Sequence, residues 1–294
     1  MDIMIERGAG RLVLMPGLGG SVRSFTWNEQ DILFPAAAGS PSSPLETAAF
    51  PLFPFSGRIN EGRFDWHGRR IQLDPNFEPE PHAIHGQAWL APWSVDAITT
   101  DAAQLSYRHT PGKWPWAYRA VQRFALVEDG LNLDLELENL SAENMPAGLG
   151  WHPYFPRRSD AKLTANVSGI WDAREGMIPE ELSPLGPEND LNTPRRVNDL
   201  RLDNAFAAHA ANADIAWPSA GLQVSIQSSD ILSHLVVYVP ENQAYFCVEP
   251  VSHAPDAVNS VYGPYVTGLK VISPGDTLHA RISLKISEKR RQPA

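Results

Sequence analysis

Cysteine is almost missing: Cys247 stands alone among 294 residues, which excludes an internal disulfide framework and every paired-cysteine metal motif. Its place in the apolar run Tyr245-Phe246-Cys247-Val248 marks it as a buried structural thiol rather than a nucleophile. Long apolar runs are missing as well. No stretch approaches the roughly 18 residues needed to span a bilayer, and the opening Met1-Asp2-Ile3-Met4-Ile5-Glu6-Arg7 carries acid where a signal peptide carries base. A soluble, cytoplasmic protein with no membrane partner is expected. Positive charge is scarce, with 24 Lys and Arg against 34 Asp and Glu and a formal net charge of −10. Phosphate backbones are held by basic stripes, so nucleic acid is not an expected partner. There is no Gly-x-Ser-x-Gly elbow, no phosphate loop, no dinucleotide fingerprint and no His-Glu-x-x-His pair. Gly17-Leu18-Gly19-Gly20 follows a short apolar run but opens no helix, and reads as a turn.

The chain does hold many short apolar runs separated by turn residues, 26 Pro and 21 Gly among them. A hydrophobic fraction of 43% with 9 Trp supplies a substantial core. Arg11 to Met15 reads as a strand, and Ser24 to Trp27 turns through Asn28-Glu29-Gln30-Asp31 into Ile32-Leu33-Phe34. Ala36 to Pro44 reads as a surface loop. Gly62 to Leu73 reads as a hairpin with His67-Gly68 at its turn. In Val121 to Leu140, Asp129-Gly130 is a strong turn signal, and Leu131, Leu133, Leu135 and Leu137 alternate with polar residues. Ala161 to Asp172 resembles one further strand, and Glu175 to Leu200 is a proline-rich excursion that could border a site. Ala205 to Ala213 alone has helix-like composition, and could equally be a tight core segment. Leu222 to Gln227, Leu235 to Val239, Tyr245 to Val248 and the alternating Ile282, Leu284 and Ile286 complete the strands. Without helices between strands a parallel βαβ sheet is excluded. The expectation is all-β: one domain over residues 1–294, folded as a large antiparallel β-sandwich or barrel.

Proton chemistry gathers at Gly148-Leu149-Gly150-Trp151-His152-Pro153-Tyr154-Phe155. A residue before proline is driven out of the α region, so His152 belongs on a strand end or loop. The same grammar returns at Glu249-Pro250, where a carboxylate ends an apolar run. A histidine and a glutamate so held form a candidate acid/base pair, though both dipeptides are ordinary. Further candidates are Arg58 in Ser56-Gly57-Arg58-Ile59, the pair His82 and His85, and Asp203 before Asn204-Ala205-Phe206. Arg58 could be a surface charge, and Asp203 could cap a helix begun in the Ala-rich segment. The histidines with Glu249 could supply zinc ligands, yet no compact ligand spacing supports a metal. Arg58 and Asp203 could instead hold hydroxyl groups, an arrangement that suits a sugar.

Taken in order, Ser56-Gly57-Arg58-Ile59, His85-Gly86 with Trp93 downstream, Gly150 to Phe155, Leu202-Asp203-Asn204-Ala205-Phe206 and Val248-Glu249-Pro250 resemble the aldose 1-epimerase (galactose mutarotase-like) family. The match runs from about Ile5 to Ile286. The resemblance implies a single-domain antiparallel supersandwich with no metal or organic cofactor. It implies Glu249 as the general base on the anomeric hydroxyl and His152 as the general acid at the ring oxygen. It implies His85, Arg58 and Asp203 as sugar-binding residues. Two positions depart from the pattern: Gly57 stands where Asn often precedes the arginine, and His82 where Asn often precedes His-Gly. His82 either contacts substrate or packs in its loop.

The expected activity is interconversion of the α and β anomers of a free aldose such as galactose or glucose. A hexose-6-phosphate epimerase of the same fold is the alternative for which Arg63, Arg69 and Arg70 would matter, and solvated surface charge is their other reading. A non-catalytic carbohydrate-binding protein is a further alternative.

Overall fold

The structure, a computed structural model, describes residues 1–36, 39–173 and 178–288. Two large antiparallel sheets carry the fold. The first has 11 strands, in the order Ile3–Arg7, Gly10–Met15, Ser21–Trp27, Ala49–Leu52, Gly150–Pro156, Tyr245–Val251, His234–Tyr238, Asp203–Ala207, Gly169–Ala173 and Pro179–Ser183, with Gln30–Asp31 paired beside Ser21–Trp27. The second has 9 strands and includes the long neighbours Tyr118–Val127, Gly130–Asn139 and Thr277–Glu288. The only α-helix among the described residues is the single turn Pro264–Thr267, so no described helix is long enough to cross a membrane. The expected all-β antiparallel sandwich is what forms.

Alternation explains the core. Side chains two apart on a strand share a face. Trp151 and Phe155 thus join Phe246 and Val248 in the main apolar cluster, with Leu133, Leu135, Ile282 and Leu284 of the second sheet. The alternate residues Tyr154, Cys247 and Val251 point to the other face of the first sheet, where they pack with Phe50, Leu52, Ile84 and Trp89. That outer face is roofed by the excursion through residues 53–90, anchored by a small ladder between Arg58–Ile59 and Ala83–Ile84. An ordinary sandwich sheet shows water on that side. Here a second apolar layer lines a cleft instead.

Several local expectations need correction. Ile32, Leu33 and Phe34 form no strand; Ile32 and Leu33 each donate a backbone amide to Phe25, and Phe34 donates to Tyr154. Residues 161–172 split into Lys162–Ala165 and Gly169–Ala173, which belong to different sheets, because an exchange between sheets needs the loop at 166–168. The Ala-rich segment is not helical: Asp203–Ala207 is a strand whose small residues let it lie under Trp171, and Asp203 caps nothing. Of the excursion expected over 175–200, residues 175–177 lie outside the described structure, as do residues 37 and 38 of the loop expected at 36–44. Pro179–Ser183 forms the edge strand of the first sheet. His67, at φ 49°, is the expected turn residue between Arg63–Trp66 and Arg69–Gln72.

Candidate active site

The cleft lies over the middle of the first sheet and encloses about 440 Å³. Two rows of side chains run across its floor. His152 pairs with Phe50 on one side, and the register that joins Gly150 to Val251 and Tyr154 to Cys247 sets Glu249 opposite it on the other. Beyond Glu249 come Val236 and then Ala205. The second row is Tyr154, Cys247, Tyr238 and Asp203. Both residues before proline therefore sit within strands, not at strand ends as expected. Pro153 and Pro250 have no amide hydrogen to give a ladder. The partnering between these two strands lapses between Gly150 and Tyr154, where His152 and Glu249 meet.

His152 Nε2 lies 3.3 Å from Glu249 Oε1. Both are buried, and burial is the leading cause of both proton affinities. It pulls the His152 imidazole down to about 3 and pushes the Glu249 carboxyl well above the ordinary carboxylate range. Asp203 adds to the rise at Glu249, and Arg58 opposes it. Near neutral pH, His152 is therefore uncharged. Phe50 stacks on its ring at 4.4 Å and 24°, which fixes the ring plane.

His85 stands edge-on to His152, with ring centroids 5.5 Å apart. Its backbone is left-handed at φ 58°, an unfavourable state for a non-glycine residue that the surroundings must impose. Asn76 does so by bonding the backbone at Ile84 and Gly86, and Trp89 Nε1 donates to the same two carbonyls. The Gly57 amide donates to His85 Nδ1 at 3.1 Å, so the neutral ring carries its proton on Nε2. Burial, with His152 and Arg58 adding, holds His85 well below the ordinary histidine range. Gly57 itself has φ 66°, and a Cβ there would stand 2.9 Å from the Pro255 side chain. The glycine in place of asparagine is thus required by close approach of the Pro255 loop.

Arg58 reaches the cleft but is not free. Its Nε and Nη2 donate to the two carboxylate oxygens of Glu80, each at 2.6 Å, leaving Nη1 as the edge without a hydrogen-bond partner among the described residues. Glu80 was not among the expected residues. Its signal was present, because Glu80-Pro81 repeats the grammar of His152-Pro153 and Glu249-Pro250. Asp203 also lines the cleft, and burial raises its carboxyl above the usual value while Arg58 holds it back. Tyr154, Trp171, Tyr238 and Tyr245 supply aromatic walls.

His82 accepts the Glu61 amide on Nδ1 at 3.0 Å and lies outside the cleft lining, so of its two readings the structure favours packing in the loop. Arg63, Arg69 and Arg70 are exposed and paired with Glu61, Glu143 and Asp65, away from the cleft. Among the described residues, the ligand-type atoms that converge are those of His152, Cys247 and Glu249, all within 4.8 Å of one another. His82 is not part of that group.

His253, unremarked in the sequence, ties the site together from behind. Its Nε2 accepts the Ser56 amide at 3.3 Å and its Nδ1–H donates to the Ala254 carbonyl at 2.7 Å. The Asp256 amide adds a 2.7 Å bond to the Arg58 carbonyl. The loop that follows Glu249 thus clamps the loop that carries Arg58.

Known proteins resemble this chain in sequence and in fold. The uncharacterised protein YphB of Escherichia coli K12 is 32% identical over 276 residues, covering 91% of this chain and 93% of its own. A crystal structure from Escherichia coli K12, provisionally assigned as an aldose 1-epimerase, superposes with a TM-score of 0.88 at 30% identity, covering 98% of this chain and 99% of the other. A galactose mutarotase-like protein from Clostridium acetobutylicum shares the fold at a TM-score of 0.86 and 19% identity, covering 98% and 95%. The family model described as Aldose 1-epimerase matches residues 1–285, nearly the whole of the sandwich and every residue of the cleft, and the chain belongs to that family.

Proposed function

We propose that the protein is an aldose 1-epimerase that interconverts the α and β anomers of a free, uncharged aldose such as galactose or glucose. The observation that carries this reading is the buried 3.3 Å contact between His152 and Glu249 on the floor of a cleft that can hold one monosaccharide. Ring opening takes one proton from the anomeric hydroxyl and gives one to the ring oxygen. Ionised Glu249 beside protonated His152 can do both. Protonated Glu249 beside neutral His152 holds the same number of protons, and transfer across the contact interconverts the two forms. Burial favours the neutral form before substrate arrives. After rotation about the bond to the aldehyde carbon, closure uses the same two groups with roles exchanged.

Arg58 Nη1, Asp203 and the Nε2–H of His85 are the groups offered to hydroxyls, and the aromatic walls are offered to the apolar faces of the sugar ring. A phosphorylated sugar is disfavoured. Arg58 is the one Lys or Arg lining the described cleft, Glu80 already neutralises it, and Asp203 leaves the balance negative. Polarimetry on freshly dissolved α-galactose and α-glucose, with Glu249→Gln beside the wild type, tests the reading. Faster relaxation that the substitution removes is expected. Acceleration with hexose 6-phosphates alone would overturn the substrate class, and no acceleration with any sugar would favour a carbohydrate-binding protein.

A further inference from the structure

We propose that His152, Cys247 and Glu249 form a reversible site for a thiophilic divalent cation such as Zn²⁺, whose binding disables the acid/base pair. The three side chains come from two neighbouring strands and share one face, since Cys247 precedes Glu249 by two residues and lies opposite Tyr154. All three are buried. In a tetrahedral site with nitrogen and oxygen ligands about 2.0–2.1 Å from zinc, those two atoms sit about 3.3–3.4 Å apart. His152 Nε2 and Glu249 Oε1 are 3.3 Å apart without any rearrangement. A zinc–sulfur bond of about 2.3 Å would place the sulfur about 3.6 Å from each of them. The three ligand atoms already lie within 4.8 Å of one another, so the thiol closes a gap of at most about 1.2 Å. The remaining position faces the cleft, as in zinc sites that keep one coordination position open.

The surroundings favour exchange over permanent tenancy. A ligating histidine ordinarily donates its second ring N–H to an outer partner, whose loss costs about 10–100-fold in affinity. His152 Nδ1 has no hydrogen-bond partner among the described residues. Coordination also replaces the Cys247 thiol proton, and any proton on Glu249, with both released to solvent. The cation then occupies the lone pairs that proton transfer requires. Sugar and cation compete for one place.

The test uses the full chain, stripped with chelator and titrated with Co²⁺ as a spectroscopic probe. One thiolate-to-cobalt charge-transfer band, saturating at one ion per chain and bleached by Zn²⁺, is expected. Cys247→Ala and the more conservative Cys247→Ser should lose the band and bind Zn²⁺ at least about 10-fold more weakly, a first-ligand loss being no smaller than that of an outer partner. Absence of the band in wild type, or unchanged Zn²⁺ affinity in whichever of the two variants folds by circular dichroism, overturns the site. This arm needs no sugar activity, so it stands apart from the epimerase reading. Where polarimetry detects turnover, Zn²⁺ should raise the apparent KM for sugar, and turnover indifferent to saturating Zn²⁺ would overturn the inhibitory role.

Discussion

His152 and Glu249 face each other across two antiparallel strands at the point where each strand carries a proline, 3.3 Å apart and buried. Proton traffic in such a pair is a property of both groups together. Glu249→Gln removes the acceptor with little change of volume, and His152→Asn removes the imidazole. Each should slow mutarotation by about 10²–10⁴. The double variant should lose little more than the worse single one, because groups that act as a unit are not additive. Stopped-flow polarimetry on all three checks this, and two independent losses that multiply would show separate roles.

Burial also makes stability depend on pH. His152 and His234 are pulled down to about 3, and His253 to about 4, chiefly by burial. A depressed folded-state affinity gives stability that is complete above the unfolded histidine value of about 6.5 and is lost as pH falls toward those numbers. Glu249, pushed up, acts with the opposite sign: its contribution is complete below the ordinary glutamate value and falls as pH rises through the higher one. Urea midpoints should therefore drop between pH 6.5 and 4. In His253→Gln the slope near pH 5 should ease by about one proton. An unchanged slope would mean that His253 is not held neutral.

The Arg58–Glu80 pair should set sugar affinity more than turnover. Glu80→Gln leaves the guanidinium without its carboxylate partner, at a cost of about 1–2 kcal/mol in positioning, or roughly 5–30-fold in KM. The kcal/mol range reflects a half-buried pair, not one fully removed from water. The same change frees a cation in the cleft, so sugar phosphates should inhibit the variant more strongly than the wild type. Steady-state kinetics with a hexose 6-phosphate as inhibitor decides this, and a loss confined to kcat would assign Glu80 to the chemistry.

Strand alternation was legible in the sequence because each face has its own polarity, as Leu131 to Leu137 show. His152 and Glu249 were legible as chemical groups because proline marks them, yet their meeting depends on register between strands far apart in the chain, which no local pattern encodes. The Ala-rich stretch at 205–213 illustrates the limit. Its helix propensity yields to the need for small side chains beneath Trp171. Arg58 read as an available cation for a related reason. Its partner Glu80 arrives from a loop that only the folded roof brings near.

The roof itself depends on one glycine on the sheet side. Gly148 donates its amide to the Pro54 carbonyl at 2.7 Å, and a Cβ at this position would fall inside the His253 ring. His253 cannot retreat without surrendering the Ser56 amide, which then loses its acceptor in a buried place. Gly148→Ala should therefore cost about 2–6 kcal/mol, combining overpacking of about 1–3 with an unpaired amide of about 1–3. The injury should spread to function, because the same loop carries Gly57 and Arg58 and positions His85. We expect a lowered urea midpoint together with a raised KM for sugar. Gly10→Ala, where a Cβ would stand 3.0 Å from the Trp27 ring and 3.3 Å from the Leu126 side chain, neither of which lines the cleft, should lower the midpoint without moving KM. Equal effects of the two substitutions on KM would show that stability alone, and not the His253 clamp, governs the geometry of the cleft.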